Sequence, residues 1–190
     1  MDTAALVDRM VDCFNRHDPE ALAACYAPDA RVHRAGWPQA VDAGTWLAAV
    51  PVSLTTFPEF RLDPCNLAAD DRVALLEARM TGTNTGPFPL SETERLLLGT
   101  QAETLPATGR ATDITGVVVL EVAGGPGTAE RHYRPLGDSL VQLGLIGPPG
   151  PAVGQHPAHE AVHEADSGSL LDVSPGDDRW LSSSTCRGTA

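Results

Sequence analysis

Apolar residues recur at helical spacing from the start of the chain. Leu6, Val7, Met10, Val11 and Phe14 fall on one stripe and predict an amphipathic helix that stops near Asn15 to His17. Asp18 is placed to cap a second helix, with Pro19 at its first position and Leu22, Cys25 and Tyr26 along one face. Pro28 is expected to end that helix, after which Arg31, Val32 and His33 read as a short strand. A third helix is predicted over about residues 39 to 50, stopping before Pro51 and offering Trp46 and Leu47 to the core. Beyond it the period shortens to two. The runs 60 to 67, 73 to 83, 111 to 122 and 128 to 134 all have strand character. In the second run Ala74, Leu76, Ala78 and Met80 form the buried set, and Glu77 and Arg79 point the other way. In the third, Thr112, Ile114, Gly116, Val118 and Leu120 share a face, which leaves Asp113 towards solvent. Helices first and an antiparallel meander afterwards is an α+β order.

Between Phe88 and Pro106 the pattern supports one more helix, within about residues 90 to 105. Ser91 with Glu94 three residues later forms a capping box, and Leu96, Leu97 and Leu98 give an apolar patch before Gly99. A segment there would be either a lid or a plain surface helix. After Gly147 the character changes: PPGP at 148 to 151 breaks regular structure, and Ser, Gly, Asp and His dominate the remaining residues. The expected organisation is one domain over residues 1 to 147 and a disordered tail over 148 to 190.

Composition narrows the function classes. Arginine supplies all 13 basic side chains against 25 acidic ones, giving a net charge of -12, which disfavours nucleic acid and anionic membranes as partners. With no lysine, neither a side-chain Schiff base nor a Walker-type phosphate lysine is available. The Ala, Gly, Pro and Arg usage fits a GC-rich bacterial genome. Cys13, Cys25, Cys65 and Cys186 lie far apart and read as small buried hydrophobes kept reduced. No apolar run suits a signal peptide or a membrane span, so a soluble cytoplasmic protein is expected. In the tail, His159, Glu160 and His163 match the HExxH pattern of zinc proteases. Their Pro-, Gly- and Ser-rich surroundings offer no scaffold for a third ligand, and the match is read as chance, with no metal or cofactor expected.

Several short tracts carry a resemblance. FNRHD at 14 to 18, the tract from Tyr26 to His33, GTNTGPF at 82 to 88, ATGR at 107 to 110 and HYRPLGDSLVQLGL at 132 to 145 arrive in one order. In that order the chain resembles, over roughly residues 4 to 147, the SnoaL-like polyketide cyclases. The resemblance implies a nuclear transport factor 2-like, cystatin-like α+β barrel: a cone-shaped curved antiparallel sheet covered by N-terminal helices, around an apolar interior. It also implies a homodimer formed through the sheet face. Tyr26, Trp37, Trp46, Phe57, Phe60, Met80, Val118 and Tyr133 would then line a pocket for an apolar small-molecule substrate. As side chains alone, the same residues would equally fill a solid core.

The family closes rings by intramolecular aldol condensation, which needs a base for an activated carbon and a donor for the enolate oxygen. Its base is an aspartate near the end of the last strand. That place falls on Pro135 without a gap, and on Arg134 after a one-residue slip. The ungapped register turns Arg131 and Tyr133 inward; the slip, which matches Arg134-Pro-Leu to the family's Asp-Pro-Leu, turns His132 and Arg134 inward instead. On the slipped reading His132 is the base and Arg134 the enolate clamp, with Asp138 as substitute or as orienter of His132. His33, on the first strand, is the other candidate base. A rival reading of the same residues is a binding pocket without catalysis, or an isomerase or epoxide hydrolase on the same fold.

Overall fold

The structure, a computed structural model, describes residues 2–147; the expected tail, its HExxH match and Cys186 lie outside the described residues. Aspartates open the first three helices. Asp2 accepts from the Ala5 amide at 2.9 Å to start α1 (Thr3–Asn15), which buries Leu6, Val7, Met10, Val11 and Cys13. Asp18 does the same for Ala21 at the start of α2 (Pro19–Ala23), with Pro19 in the first turn as expected. That helix is shorter than its apolar face suggests. Tyr26 belongs to the following strand, β1 (Tyr26–His33), and Pro28 lies inside the strand. The pairing of β1 shifts register between Tyr26 and Arg31, so the proline falls where no ladder bond is required of it.

After β2 (Val41–Asp42), Asp42 caps α3 (Ala43–Thr56) through the Thr45 amide at 2.8 Å. Pro51 does not stop this helix but sits inside it. A proline there removes one backbone bond, and the burial of Trp46, Val50 and Thr56 on the same helix offsets the loss.

The remaining strands are β3 (Arg61–Ala69), β4 (Val73–Thr83), β5 (Phe88–Pro89), β6 (Thr104–Leu105), β7 (Ala111–Val122) and β8 (Gly127–Tyr133). Six of the strands form one sheet in the order β2-β1-β8-β7-β4-β3, and β5 pairs with β6 in a second, two-stranded sheet. Among the described strands all pairs are antiparallel except β1 with β8, which run parallel. Bulges in β3 near Pro64 and at the β7–β8 turn bend the sheet. Its concave face carries Ala74, Leu76, Ala78 and Leu120 against α1 and α3, as the alternation predicts. On the outer face Arg79 and Asp113 pair through two hydrogen bonds, one of 2.7 Å. Both are exposed, so Asp113→Asn should change unfolding free energy by less than about 1 kcal/mol. A larger loss in urea denaturation would give the pair a role that its exposure does not predict.

The helix foreseen between Phe88 and Pro106 is α4 (Glu92–Leu98), with the full Ser91–Glu94 capping box and Gly99 left-handed at φ 61°. Leu96 and Leu97 are 82% and 55% exposed, so this helix is held by its cap and its first turn rather than by an apolar face. Ser91→Ala should therefore cost about 1 kcal/mol of stability, readable as a lower urea midpoint; no change would show the cap to be dispensable.

The resemblance motifs hold the strand ends together. Asn84, fully buried, accepts from the Thr108 amide at 2.7 Å and donates to the Gly86 carbonyl at 2.8 Å. Its backbone pairs with Gly109 and Arg110, so GTNTGP and ATGR form one knot. Gly86 is required there: a Cβ would come within 2.0 Å of the Thr55 carbonyl oxygen. In α5 (Leu136–Gln142), the Gln142 side chain takes the Asp113 amide at 2.7 Å and donates to its carbonyl at 2.9 Å, fastening that helix to β7. Cys13 and Cys25 are free and buried, and burial pushes the Cys25 thiol pKa up. Cys65 is disulfide-bonded, which corrects the expectation that every cysteine is a reduced thiol. No helix among the described residues is long and apolar enough to cross a membrane.

Candidate active site

The concave face and the helices enclose a cavity of about 430 Å³, within the range of small-molecule sites. Tyr26, Trp37, Trp46, Phe57, Phe60, Met80 and Val118 all line it. The walls have not collapsed into a solid core. At one end β8 supplies its polar residues. Val118 pairs with His132 and Leu120 with Glu130, so both polar side chains share the concave side with the buried residues of β7. Arg134, just past the strand, keeps the same parity and also lines the cavity. This is the orientation of the slipped register.

Three expected site residues lie elsewhere. Tyr133 has the opposite parity and is 54% exposed, so its substrate-binding assignment is withdrawn. His33 is exposed on the outer face, because Val32 takes the buried position of β1. Asp138 is exposed in the first turn of α5, while Ser139 and Leu140 take the buried side of that helix. Neither His33 nor Asp138 lines the cavity.

The carboxylate beside His132 is Glu130. Its Oε1 meets His132 Nε2 and its Oε2 accepts the Tyr26 hydroxyl, and Glu130 itself is buried. Burial first, then the Glu130 carboxylate, hold the Tyr26 phenol well above its ordinary pKa, so it stays a donor. Trp46 stands edge-on to His132, ring centroids 5.1 Å apart at 74°, and fixes the imidazole from another side. The Trp46 Nε1 makes no hydrogen bond among the described residues, though the indole lies beside Tyr26 and slightly counters the rise in its pKa.

Two guanidiniums complete the polar end. Arg134 is 3.8 Å from Glu94, its Nε is buried without a partner among the described residues, and burial lowers its pKa. Arg34 lies over Trp46 and Trp37, at 5.4 and 5.9 Å from the ring centroids. Burial, then repulsion from Arg134, bring the Arg34 pKa down to about 9 against the attraction of Glu94. Arg34, Glu94 and Glu130 were not anticipated as site residues. Glu130 was findable, since it stands two residues before His132 on a strand read as alternating. Arg34 follows β1 in a turn, and Glu94 reads from sequence only as a helix cap, so neither has a periodic signal.

The arrangement can bind an apolar guest, hold an imidazole in a fixed tautomer and present cationic donors to an oxygen. Among the described residues no three His, Cys, Asp or Glu gather into a metal-holding set.

Residues 7–128 match the model of the SnoaL-like domain. Among solved structures, AclR of Streptomyces galilaeus, provisionally described as a hydroxylase, is 20% identical with a TM-score of 0.61, over 75% of this chain and 96% of its own. IdmH of Streptomyces antibioticus, provisionally a polyketide cyclase, is 19% identical with a TM-score of 0.59, over 74% of this chain and 97% of its own. A provisional SnoaL-like polyketide cyclase from a Jannaschia species is 19% identical with a TM-score of 0.61, over 77% of this chain and 92% of its own. Other similar structures carry the nuclear transport factor 2-like and ketosteroid isomerase-like folds. No curated protein matches the sequence.

Proposed function

The chain belongs to the SnoaL-like domain family, and from that premise we propose that it is a cofactor-independent cyclase, closing a ring in an apolar polycarbonyl compound of the polyketide type. The observation that carries this reading is the row Glu130, His132 and Arg134, projecting from one side of a strand end into the polar end of an apolar cavity.

In this reading Glu130 accepts the Nε2 proton of neutral His132, which leaves Nδ1 as the base. Nδ1 takes a proton from a carbon beside a carbonyl, and the enolate oxygen that forms is held by Arg134. The enolate carbon attacks a second carbonyl of the same molecule, one carbon–carbon bond forms, and the new alkoxide takes the proton back from His132. No electrons are gained or lost, so the step needs no redox partner. The aromatic walls hold the chain folded so that the two carbons meet. The aspartate expected from the family is thereby replaced in role by an imidazole two residues before its place.

A test that needs no knowledge of the natural substrate is solvent exchange. In D2O, 2-tetralone, an apolar ketone with a moderately acidic carbon, should exchange its C1 protons faster with the protein than in buffer, and saturably. Isomerisation and epoxide opening draw on the same polar end but predict different products. The pocket-protein alternative draws on the arginine at the family's aspartate place, and predicts that 2-tetralone binds with exchange no faster than in buffer. That outcome would remove the enzymatic reading.

A further inference from the structure

Arg34 has no part in the ring closure proposed above, and its position is an expensive one. It lines the cavity, and its guanidinium has neither an ion pair nor a side-chain hydrogen bond among the described residues, only the faces of Trp37 and Trp46. The acids nearby are committed. Glu130 gives one oxygen to Tyr26 and the other to His132. Glu94 gives Oε2 to the Ser91 amide at 2.8 Å, and its Oε1 reaches Arg134 only at 3.8 Å. Two guanidiniums therefore share one distant carboxylate, and the Arg134 Nε is left buried without an acceptor among the described residues. A cation kept inside an apolar site without a partner is destabilising, and a ligand anion is the partner that would relieve it.

Resting on the cyclase reading, we propose that the natural ligand is a carboxylic acid, an apolar polycarbonyl compound whose terminal carboxylate is received by Arg34, with the free edge of Arg134 beside it. A carboxylate suits this place better than a phosphate. One negative charge balances the uncommitted guanidinium, whereas a phosphate would set a second charge near Glu94. The guanidinium fork matches the two carboxylate oxygens in one plane. The stacked indoles fix the plane of Arg34, so that part of the cost of orienting it is met before the ligand arrives.

The depressed affinity of Arg34 for its proton agrees in sign. A base whose folded pKa is brought down to about 9, well below the ordinary arginine range, costs stability at every pH below 9, and the cost shrinks as pH rises above that value. At neutral pH the whole cost is present, and an anion bound beside Arg34 would recover part of it.

The test compares 2-naphthylacetic acid with its methyl ester, which share the apolar body and differ in charge. Binding is followed at neutral pH by quenching of the fluorescence of Trp37 and Trp46, which line the cavity. The acid should bind at least about tenfold tighter than the ester, the scale of one charge-assisted contact. Arg34→Met, which keeps the stem against the indoles, should remove that preference and leave ester affinity within about twofold. An Arg34→Gln variant serves if the Met protein does not fold. Equal binding of acid and ester by the wild type, or a preference that survives both variants, would overturn the assignment. Exchange of 2-tetralone is uncharged chemistry and separates the two readings: if it proceeds while the acid shows no advantage, the acid-binding end fails and the base at His132 stands.

Discussion

His132→Ala should slow 2-tetralone exchange, and ring closure of the natural substrate, by about a hundredfold or more, because a positioned general base contributes on the order of 10² to 10⁴ in rate. Binding of the ketone should change little, since aromatic and aliphatic walls supply its contacts. The loss should therefore fall on kcat and not on KM. His132→Gln controls for packing against Trp46, and it should be as slow as the alanine variant. Glu130 acts through the imidazole and is a positioning residue. Glu130→Gln keeps the shape but removes the carboxylate that orients the imidazole through Nε2, so kcat for exchange should fall while KM changes little. A structural role for Glu130 would lower stability and leave kcat of the folded protein where it is. Wild-type exchange rates in His132→Ala would remove the imidazole from the chemistry altogether.

Asn84→Ala should cost about 3 kcal/mol of unfolding free energy, because each buried polar group left without its partner costs about 1–3 kcal/mol. The groups stranded are the Thr108 amide and the Gly86 carbonyl, held at 2.7 and 2.8 Å by a side chain with no exposure at all. They lie where the end of β4 meets the loop into β7, so the loss should appear as a lower urea midpoint with an unchanged slope. Asn84→Asp keeps the acceptor for Thr108 and loses the donor to Gly86, and should fall between wild type and alanine. A cost under about 1 kcal/mol for the alanine variant would mean that water replaces the side chain and that the knot is not structural.

This division of labour explains what could be read from sequence. GTNTGP, ATGR and QLGL identified the family, yet in the structure they are the knot around Asn84 and the clasp of Gln142 on β7, so they report the fold and not the chemistry. The alternation in β4 and β7 gave the concave face correctly because each strand has one buried side. Seven aromatic and aliphatic wall residues, Tyr26 to Val118, were legible for the same reason, although composition alone cannot tell a wall from a core. Tyr133 was misplaced because it was taken from the register that the structure does not adopt. His33, a candidate by its place on the first strand, and Asp138, a candidate as the carboxylate next along the chain, are carried outward by the strand parity of one and the helix face of the other.

The boundaries that failed have physical causes too. Pro28 and Pro51 were read as stops. One falls at a shift in strand pairing and the other within a helix whose burial outweighs a lost bond. Arg34 and Glu94 could not be found from pattern at all. An arginine in a turn and a glutamate in a capping box look like surface residues until the sheet and α4 bring both to one end of the cavity.

The most direct measurement is a crystal structure with 2-tetralone bound. The ketone should lie in the 430 Å³ cavity with C1 within reach of His132 Nδ1 and its oxygen towards Arg134. A ketone bound outside the cavity, or inside with its acidic carbon turned away from His132, would contradict the assignment of this hollow as the place where a carbon acid meets its base.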